Sequence, residues 1–353
     1  MRILVVANFQ IEYSIQLANA MARLCEVSLA LWDQVAPDLR GQVEENVKVI
    51  EFRGPGIISL SRAYTQARVA RFASQSNADI VHFQNASAWN SLYLRSYRKK
   101  VQVLTVHDPY PHLGHPDPWS FPAIAVHGFH ARAIIVLGNA QKASLLTRFR
   151  LPAWKVHVIP HGDFSYLSGS ADPPPSNGST VLFFGRIAAY KGIEDFLRAC
   201  VYVKENHEAA RFRVVGQGDL TPYRGLMSTL TDLEVRNTFV SREELAREIE
   251  NSALLVAPYV EASQSGVAIA AQSLGRPVVG TRVGGLPEDI LDGRTGLLVE
   301  PRNWRALGDA ILQLLSDPDR REKMGANAFN WMRTERSWAK IARKTVALYE
   351  AVS

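Results

Sequence analysis

Short hydrophobic runs alternate with helix-like segments along the first half of the chain. The runs are RILVVA (2–7), VSLAL (27–31), DIVHF (79–83), VQVLTV (101–106) and AIIVL (133–137). Strand-like runs separated by amphipathic helical segments are typical of a parallel sheet wrapped by helices. The first half therefore predicts a doubly wound, Rossmann-like α/β domain.

The same pattern restarts in the second half. Its apolar runs are VLFFG (181–185), FRVVG (212–216), ALLVAPY (253–259), PVVGT (277–281) and TGLLV (295–299). Between the halves lies a stretch dense in Ser, Gly and Pro, which is typical of a linker. We expect a domain over 1–168, a linker over 169–179 and a second doubly wound domain over 180–335, with the C-terminal helix, about 336–353, packing back on the first domain.

This organisation predicts where ligands bind. In open α/β sheets the ligands lie beyond the carboxyl ends of the strands, and clefts between domains are favoured binding places. Strand-to-helix turns facing an interdomain cleft should therefore carry the chemistry.

Composition adds limits on partners and location. The two cysteines, Cys25 and Cys200, match no metal-ligand or redox spacing, so we expect reduced thiols. MRILVVANFQIEY suits a first core strand better than a signal peptide, and no apolar run approaches the roughly 18 residues of a membrane-spanning helix. We expect a cytoplasmic protein, or one bound peripherally at the inner face of a membrane.

The net charge of +6 is unevenly distributed. Residues 1–170 hold 17 Lys/Arg against 11 Asp/Glu, whereas residues 171–353 hold 23 of each. The excess in the first half suits an anionic membrane face or a phosphorylated acceptor, although an ordinary solvated surface explains it equally well. Nucleic acid is not expected, because the basic cluster at 95–100 is short and no recognition motif accompanies it.

The segment VLFFGRIAAYKGIEDF (181–196) has the residues of an anion site. A strand ends at Gly185, Arg186 follows in the turn, and Lys191 stands directly before a helix. Glycine allows a phosphate to approach the backbone, and the two cations can hold a diphosphate from separate sides.

Several further segments stand in a characteristic order. The segment 181–196 is preceded by VIPHGD (158–163). It is followed by FRVVGQGDL, ALLVAPY and LGRPVVGTRVGGLPEDILDGRTGLLVEP (274–301). In this succession the chain resembles the family 4 retaining glycosyltransferases of GT-B fold, over essentially its second half and more loosely over its first.

The resemblance implies transfer of a sugar from a UDP- or GDP-sugar to an acceptor hydroxyl, with retention of configuration and without a metal or other cofactor. The acceptor would be a glycan or a lipid-linked molecule in polysaccharide or glycoconjugate biosynthesis. Arg186 and Lys191 would bind the donor diphosphate and stabilise its developing charge. Gly185, Val240, Glu261, Ser265, Gly266 and Val267 would complete the donor pocket, and His107 would contact the sugar or the reacting centre.

The sequence departs from the family where two glutamates normally stand eight positions apart. A gapless register places Ala262 and Ala270 at these positions. Glu261 would replace the first glutamate if the loop shifted by one residue, whereas nothing nearby replaces the second. Ser265–Val267 can open a helix whose N–H groups suit a phosphate, but a plain Ser N-cap explains the same residues.

In the first half, His107 and Asp108 directly follow a core strand, where a doubly wound domain faces its ligand. The neighbouring His112, His115, His127 and His130 lack the cysteine or carboxylate partners typical of zinc sites. The first strand-to-helix turn contains Gln10, Glu12 and Tyr13, which we expect on the acceptor side together with Asp108. Helix capping by Ser14 explains part of the same segment without function.

The sequence leaves two alternatives open. A catalytically silent GT-B binding or scaffold protein would explain the missing glutamates, and a GT-B nucleotide-sugar epimerase would share the fold. The epimerase would need a base near the sugar carbon, for which the sequence offers no evident residue.

Overall fold

The chain forms two compact units that differ from a simple division into halves. The computed structural model describes residues 1–7, 10–32, 35–52, 59–87, 91, 94–109, 120–168, 172–173 and 178–353. The N-terminal unit comprises the described residues up to Gly162 together with Ser337–Ser353, and the C-terminal unit comprises Asp163–Arg336. The division precedes the segment 169–179, whose residues 169–171 and 174–177 lie outside the described part of the chain.

The N-terminal unit is built on a seven-stranded sheet in which all neighbouring strands are parallel, in the order β3-β2-β1-β4-β5-β6-β7. The strands are β1 Arg2–Ala7, β2 Glu26–Trp32, β3 Lys48–Phe52, β4 Ile80–Phe83, β5 Val101–Val106, β6 Ala133–Val136 and β7 Val156–Val158. Ile3 and Val5 point into one apolar cluster and Leu4 and Val6 into another. Both faces of the sheet are therefore buried, as continuous apolar runs require.

Helices cover both faces of this sheet. They are α1 Ile11–Met21, α2 Pro37–Arg40, α3 Ser59–Gln75, α4 Ser120–His130, α5 Asn139–Phe149 and, from the end of the chain, α13 Trp338–Val352. Helix α13 packs against α1, and its apolar residues join the cluster that includes Ile3 and Val5.

A buried hydrogen-bond chain fastens α13 to the sheet. The Tyr349 hydroxyl lies 2.5 Å from Nδ1 of His82, and Nε2 of His82 lies 2.7 Å from Oγ1 of Thr105. Burial lowers the pKa of His82 to about 3, so the ring is neutral near pH 7. The last helix is therefore an integral part of the N-terminal core.

The C-terminal unit has a six-stranded sheet, again parallel throughout, in the order β10-β9-β8-β11-β12-β13. Its strands are β8 Thr180–Phe184, β9 Arg211–Val215, β10 Leu233–Arg236, β11 Leu254–Ala257, β12 Val278–Thr281 and β13 Gly296–Val299. The helices are α6 Ile193–Asn206, α7 Arg224–Met227, α8 Arg242–Glu250, α9 Gly266–Ser273, α10 Leu286–Asp289, α11 Trp304–Leu315 and α12 Pro318–Glu335. The prediction of two doubly wound domains is confirmed.

The strand orders locate the point in each sheet where the connections change direction. This switch point lies between β1 and β4 in the first sheet and between β8 and β11 in the second. Ligands of doubly wound sheets bind at the carboxyl ends of the strands beside such a point. None of the helices that the structure describes has both the length and the apolar character of a membrane span.

Candidate functional site

The turn after β8 lies beside the switch point of the C-terminal unit. Gly185 follows the strand with φ +119°, a conformation that favours glycine, and its N–H donates to the Val215 carbonyl at 3.0 Å. A Cβ at Gly185 would lie 3.5 Å from the side chain of Val267 in α9. The backbone therefore passes directly in front of the N-terminal end of α9, and the exposed Arg186 comes next in the turn.

The following 3₁₀ turn, Ala189–Lys191, is fixed against the loop after β11. The Tyr190 carbonyl accepts the N–H of Val260 at 2.8 Å. Gly192, the N-cap of α6, has φ +71°, and a Cβ there would lie 1.8 Å from the Pro258 carbonyl oxygen. Only glycine permits this close approach, which holds Lys191 at the switch point.

The Lys191 ammonium lies in front of an aromatic ring. Its Nζ is 3.8 Å from the centroid of Tyr259, close enough for a cation–π interaction. The Tyr259 hydroxyl lies 2.9 Å from Oγ of Ser265. Among the described residues, neither Arg186 nor Lys191 pairs with a carboxylate, so their charge is not neutralised by an ion pair within the unit.

The N-terminus of helix α9 faces the turn after β8 that carries Gly185 and Arg186. Ser265 is its N-cap, and Oγ accepts the N–H of Ala268 at 3.2 Å. The N–H groups of Gly266 and Val267 have no acceptor within the described part of the chain. The structural N-cap and a set of donors for an anion are therefore present together, because a cap satisfies only some of the first N–H groups.

The two alanines at the family's glutamate positions are buried. Ala262 and Ala270 are 3% and 1% exposed, whereas Glu261 is half-buried and its N–H lies 3.4 Å from the Tyr190 carbonyl. Val240 packs its side chain into the core of this unit, so only its backbone is available to a ligand. The preceding Phe239 is, by contrast, highly exposed.

In the N-terminal unit, the structure brings His107 and Tyr13 together. His107 follows β5, and its ring centroid lies 4.9 Å from that of Tyr13, with the rings nearly perpendicular. The Gln141 side chain fixes the local backbone, because Nε2 donates to the His107 carbonyl at 2.8 Å while Oε1 accepts the Leu137 N–H at 2.7 Å. The imidazole therefore has a defined position at the carboxyl ends of the strands.

Burial lowers the pKa of His107 to about 3, outweighing the opposite effect of Asp108. Its Nε2 is buried and has no partner within the described ranges. The ring is thus neutral near pH 7 and suits hydrogen bonding better than proton abstraction.

Two aromatic residues of this cluster were missed by the sequence analysis. His161 and Trp338 each pack edge-on against Tyr13, with ring centroids 5.0 and 5.1 Å away. His161 stands in the VIPHGD segment and could have been found as a strand-end histidine, whereas Trp338 lies at the start of α13, far away in sequence. Tyr13 is only 3% exposed, so it supports His107 and His161 rather than lining an open pocket.

The remaining acceptor-side residues are less enclosed. Gln10 is exposed and left-handed at φ 52°, Glu12 is half-buried in the first turn of α1, and Asp108 is exposed. Within the described residues no group of three His, Cys, Asp or Glu side chains could hold a metal ion. His112 and His115 lie outside those residues.

Comparisons with known proteins cover both units. Residues 12–162 match the family model described as Glycosyltransferase Family 4, and residues 178–317 match the model described as Glycosyl transferases group 1. The chain is 30% identical over 225 residues to D-inositol 3-phosphate glycosyltransferase from Arthrobacter sp., covering 58% of this chain and 53% of that protein. It thus spans about half the length of the curated relatives it matches.

Solved structures share the whole architecture at low identity. Sucrose-phosphate synthase from Thermosynechococcus elongatus superposes with a TM-score of 0.75 at 21% identity, over 100% of this chain and 99% of that one. The Anabaena protein Alr3699/HepE, in complex with UDP, gives 0.75 at 17% identity over 99% and 100%. With both sequence halves matched in order, the chain belongs to the family 4 glycosyltransferases and has their GT-B fold.

Proposed function

We propose that the protein transfers a sugar from a nucleotide-sugar to an acceptor hydroxyl with retention of anomeric configuration. The observation that carries this proposal is the convergence of Arg186, Lys191 and the N-terminus of α9 at the β8/β11 switch point. Two cations and two unused N–H groups suit a diphosphate, the group that links the sugar to its nucleoside.

The chemistry needs stabilisation of a leaving group. As the glycosidic bond breaks, negative charge develops on the diphosphate, and fixed cations and N–H donors lower the energy of that state. Lys191 is held on a tyrosine ring and behind a glycine turn, so little reorganisation is needed when charge develops. The departing phosphate oxygen accepts the acceptor proton, which requires neither a protein base nor a cofactor or metal.

His107 has a binding role in this proposal. We assign the unpaired Nε2 of the neutral His107 ring to a sugar hydroxyl, a contact that requires the groups burying this nitrogen to move aside when the donor binds. Its packing against Tyr13 fixes the ring orientation. Substitution of His107 is therefore expected to affect donor-sugar selection as well as rate.

The donor and acceptor are proposed by class. The UDP bound to the Anabaena neighbour supports a uridine or related diphosphate donor. A glycan or lipid-linked acceptor in polysaccharide or glycoconjugate synthesis fits the family, and the Arthrobacter relative adds a small phosphorylated acceptor as a further class. We place the protein in the cytoplasm, in peripheral contact with an anionic membrane through its basic N-terminal unit.

Substitution of the two cations tests this function. Arg186→Ala and Lys191→Ala should each lower the rate of sugar transfer, or of hydrolysis of the nucleotide-sugar, by about 10²–10³-fold. Each substitution removes a cationic hydrogen-bond donor that stabilises the charge developing on the diphosphate. Arg247→Ala removes an exposed cation from the far turn of α8 and should leave activity unchanged. The assay is release of UDP from UDP-sugars, with circular dichroism to verify folding. Full activity in both site variants would refute the proposal.

A catalytically silent binding protein is the second candidate, favoured by the buried Ala262 and Ala270. Calorimetric titration with UDP, GDP, UDP-glucose and GDP-mannose separates the two. Nucleotide binding that Lys191→Ala weakens supports the transferase site. Absence of binding by every nucleotide supports the silent protein.

A further inference from the structure

Helix α4 presents apolar side chains to solvent. Phe121, Val126 and Phe129 are exposed, and Phe129 reaches 77%. Their buried neighbours Ile124 and His127 pack on the sheet, so the exposed residues form a second apolar face of the same helix. Trp154, 65% exposed, lines the same cavity as Phe129. Adjacent exposed aromatic residues of this kind mark an interaction surface.

The cavity beside these aromatic residues is strongly basic. It has a volume of about 470 Å³ and lies at the amino ends of β5, β6 and β7. Arg95, Arg98 and Arg132 line it with exposed guanidinium groups. None of the described residues lining it is acidic. The cavity therefore combines positive charge with aromatic edges.

Two lysines and a glutamine belong to the wall of this cavity. Nζ of Lys100 donates to the carbonyls of Ser76 and Ala78, and Nζ of Lys155 donates to the carbonyl of Phe129. Burial and the charge of Arg132 lower the pKa of Lys155, which is consistent with a positive local potential. Gln102 is 6% exposed and its Oε1 has no partner in the described part of the chain.

We propose that this surface docks on an anionic lipid bilayer. Val126 and Phe129, toward the C-terminal end of α4, would insert with Trp154 at the level of the headgroups. Arg95, Arg98 and Arg132 would hold a lipid phosphate in the cavity. Aromatic side chains beside a basic pocket fit such an interface, whose outer layer is anionic and whose interior is apolar. Charge complementarity favours a bilayer, because it offers many phosphates and an apolar layer at once.

This surface would make the membrane contact of the function proposed above, so the inference rests on that function. Its position is also compatible with catalysis. The three arginines, Phe129 and Trp154 stand directly before β5, β6 or β7, at the amino ends of the strands, whereas His107 follows β5. Strand β5 separates them by about 20 Å. Docking therefore leaves the carboxyl ends of the strands uncovered.

Vesicle sedimentation with the full chain tests this surface. The wild type should bind phosphatidylglycerol vesicles more tightly than phosphatidylcholine vesicles, and binding should weaken between 0.05 and 0.5 M salt. Arg98→Gln and Arg132→Gln should each weaken binding about fivefold. Phe129→Ser and Trp154→Ser should each weaken it about tenfold. Arg247→Gln and Phe239→Ser, on the C-terminal unit, serve as matched controls and should bind as the wild type does.

Three results would overturn the proposal: equal binding to both vesicle types, equal losses in the control variants, or wild-type binding by all four surface variants. A dimer in light scattering that Trp154→Ser dissociates would assign the surface to a second copy of the chain instead. Calorimetric titration with UDP and GDP in the absence of lipid keeps the two proposals separate. Failure to bind either nucleotide refutes the transferase site, whereas loss of vesicle binding alone concerns only this surface.

Discussion

His127 predicts an acid sensitivity located in the N-terminal unit. The ring is fully buried on the inner face of α4, with its centroid 4.5 Å from that of Phe83. Neither ring nitrogen has a hydrogen-bond partner among the described residues. Burial lowers the pKa to about 3 from 6.5, so the imidazole stays neutral in the folded state under conditions that protonate it in the unfolded state.

The expected magnitude follows from proton linkage. Because the folded pKa of His127 lies below the unfolded one, its contribution to stability is present above pH 6.5 and is lost as the pH falls toward 3. Each pH unit below 6.5 lowers the free energy of unfolding by about 1.4 kcal/mol. The loss between pH 7 and pH 5 is therefore about 2 kcal/mol. His127→Leu abolishes this loss. At pH 7 the substitution should be close to neutral, because relief of two unpaired nitrogens offsets the lost ring contact.

Urea unfolding at pH 7 and pH 5 measures the difference, with hydrogen exchange of peptides from β4 and β5 reporting on the N-terminal unit. The wild type should lose about 2 kcal/mol more than His127→Leu across this interval. His130→Gln, an exposed substitution on the same helix, should lose nearly as much as the wild type, because burial remains the main cause of the lowered pKa of His127 and the charge of His130 is the smaller one. Parallel losses in the wild type and His127→Leu would refute the reasoning, since they would mean that the native ring accepts a proton.

Two further predictions concern stability of the C-terminal unit. Gly192→Ala should destabilise it by more than about 2 kcal/mol in urea unfolding, since alanine disfavours positive φ and its Cβ would meet a proline carbonyl. Gly225→Ala, where a Cβ meets nothing within 4 Å, should be neutral or slightly stabilising, and equal losses would contradict the argument. Arg336→Met should cost about 3–5 kcal/mol in thermal unfolding, because it leaves Asp289 buried without its ion pair at 2.9 Å. Arg198→Met, which breaks an exposed pair, should cost less than about 0.5 kcal/mol, and similar losses would argue against the buried pair.

The sequence predicted those parts of the fold and site that depend on local pattern. Continuous apolar runs separated by helical periodicity indicated both parallel sheets. The order strand, Gly185, Arg186, Lys191, helix placed the cations in one turn, and Ser265 before an apolar helix indicated its cap. Each of these signals extends over a few neighbouring residues, within which spacing decides which side chains meet.

The sequence could not predict contacts between residues that are distant along the chain, because these depend on how the elements pack. Tyr259 links Lys191 to Ser265, yet in sequence it is one aromatic residue after a strand. Trp338 reaches Tyr13 only because the chain returns to the first sheet after the C-terminal unit. The direction of a loop side chain was also not predictable from the sequence. Val240, expected in the donor pocket, packs its side chain into the core instead.

The return of α13 to the first sheet has a consequence for synthesis of the protein. Tyr349 and Trp338 complete the core of the N-terminal unit, but they leave the ribosome only after the whole C-terminal unit. At 5–20 residues per second, synthesis of the C-terminal unit, Asp163–Arg336, takes roughly 10–40 s. The apolar surface of α1 that α13 covers stays exposed for at least this time. The nascent chain exposes this apolar surface during that time, and we therefore expect its folding to depend on chaperones more than that of a protein with two contiguous domains.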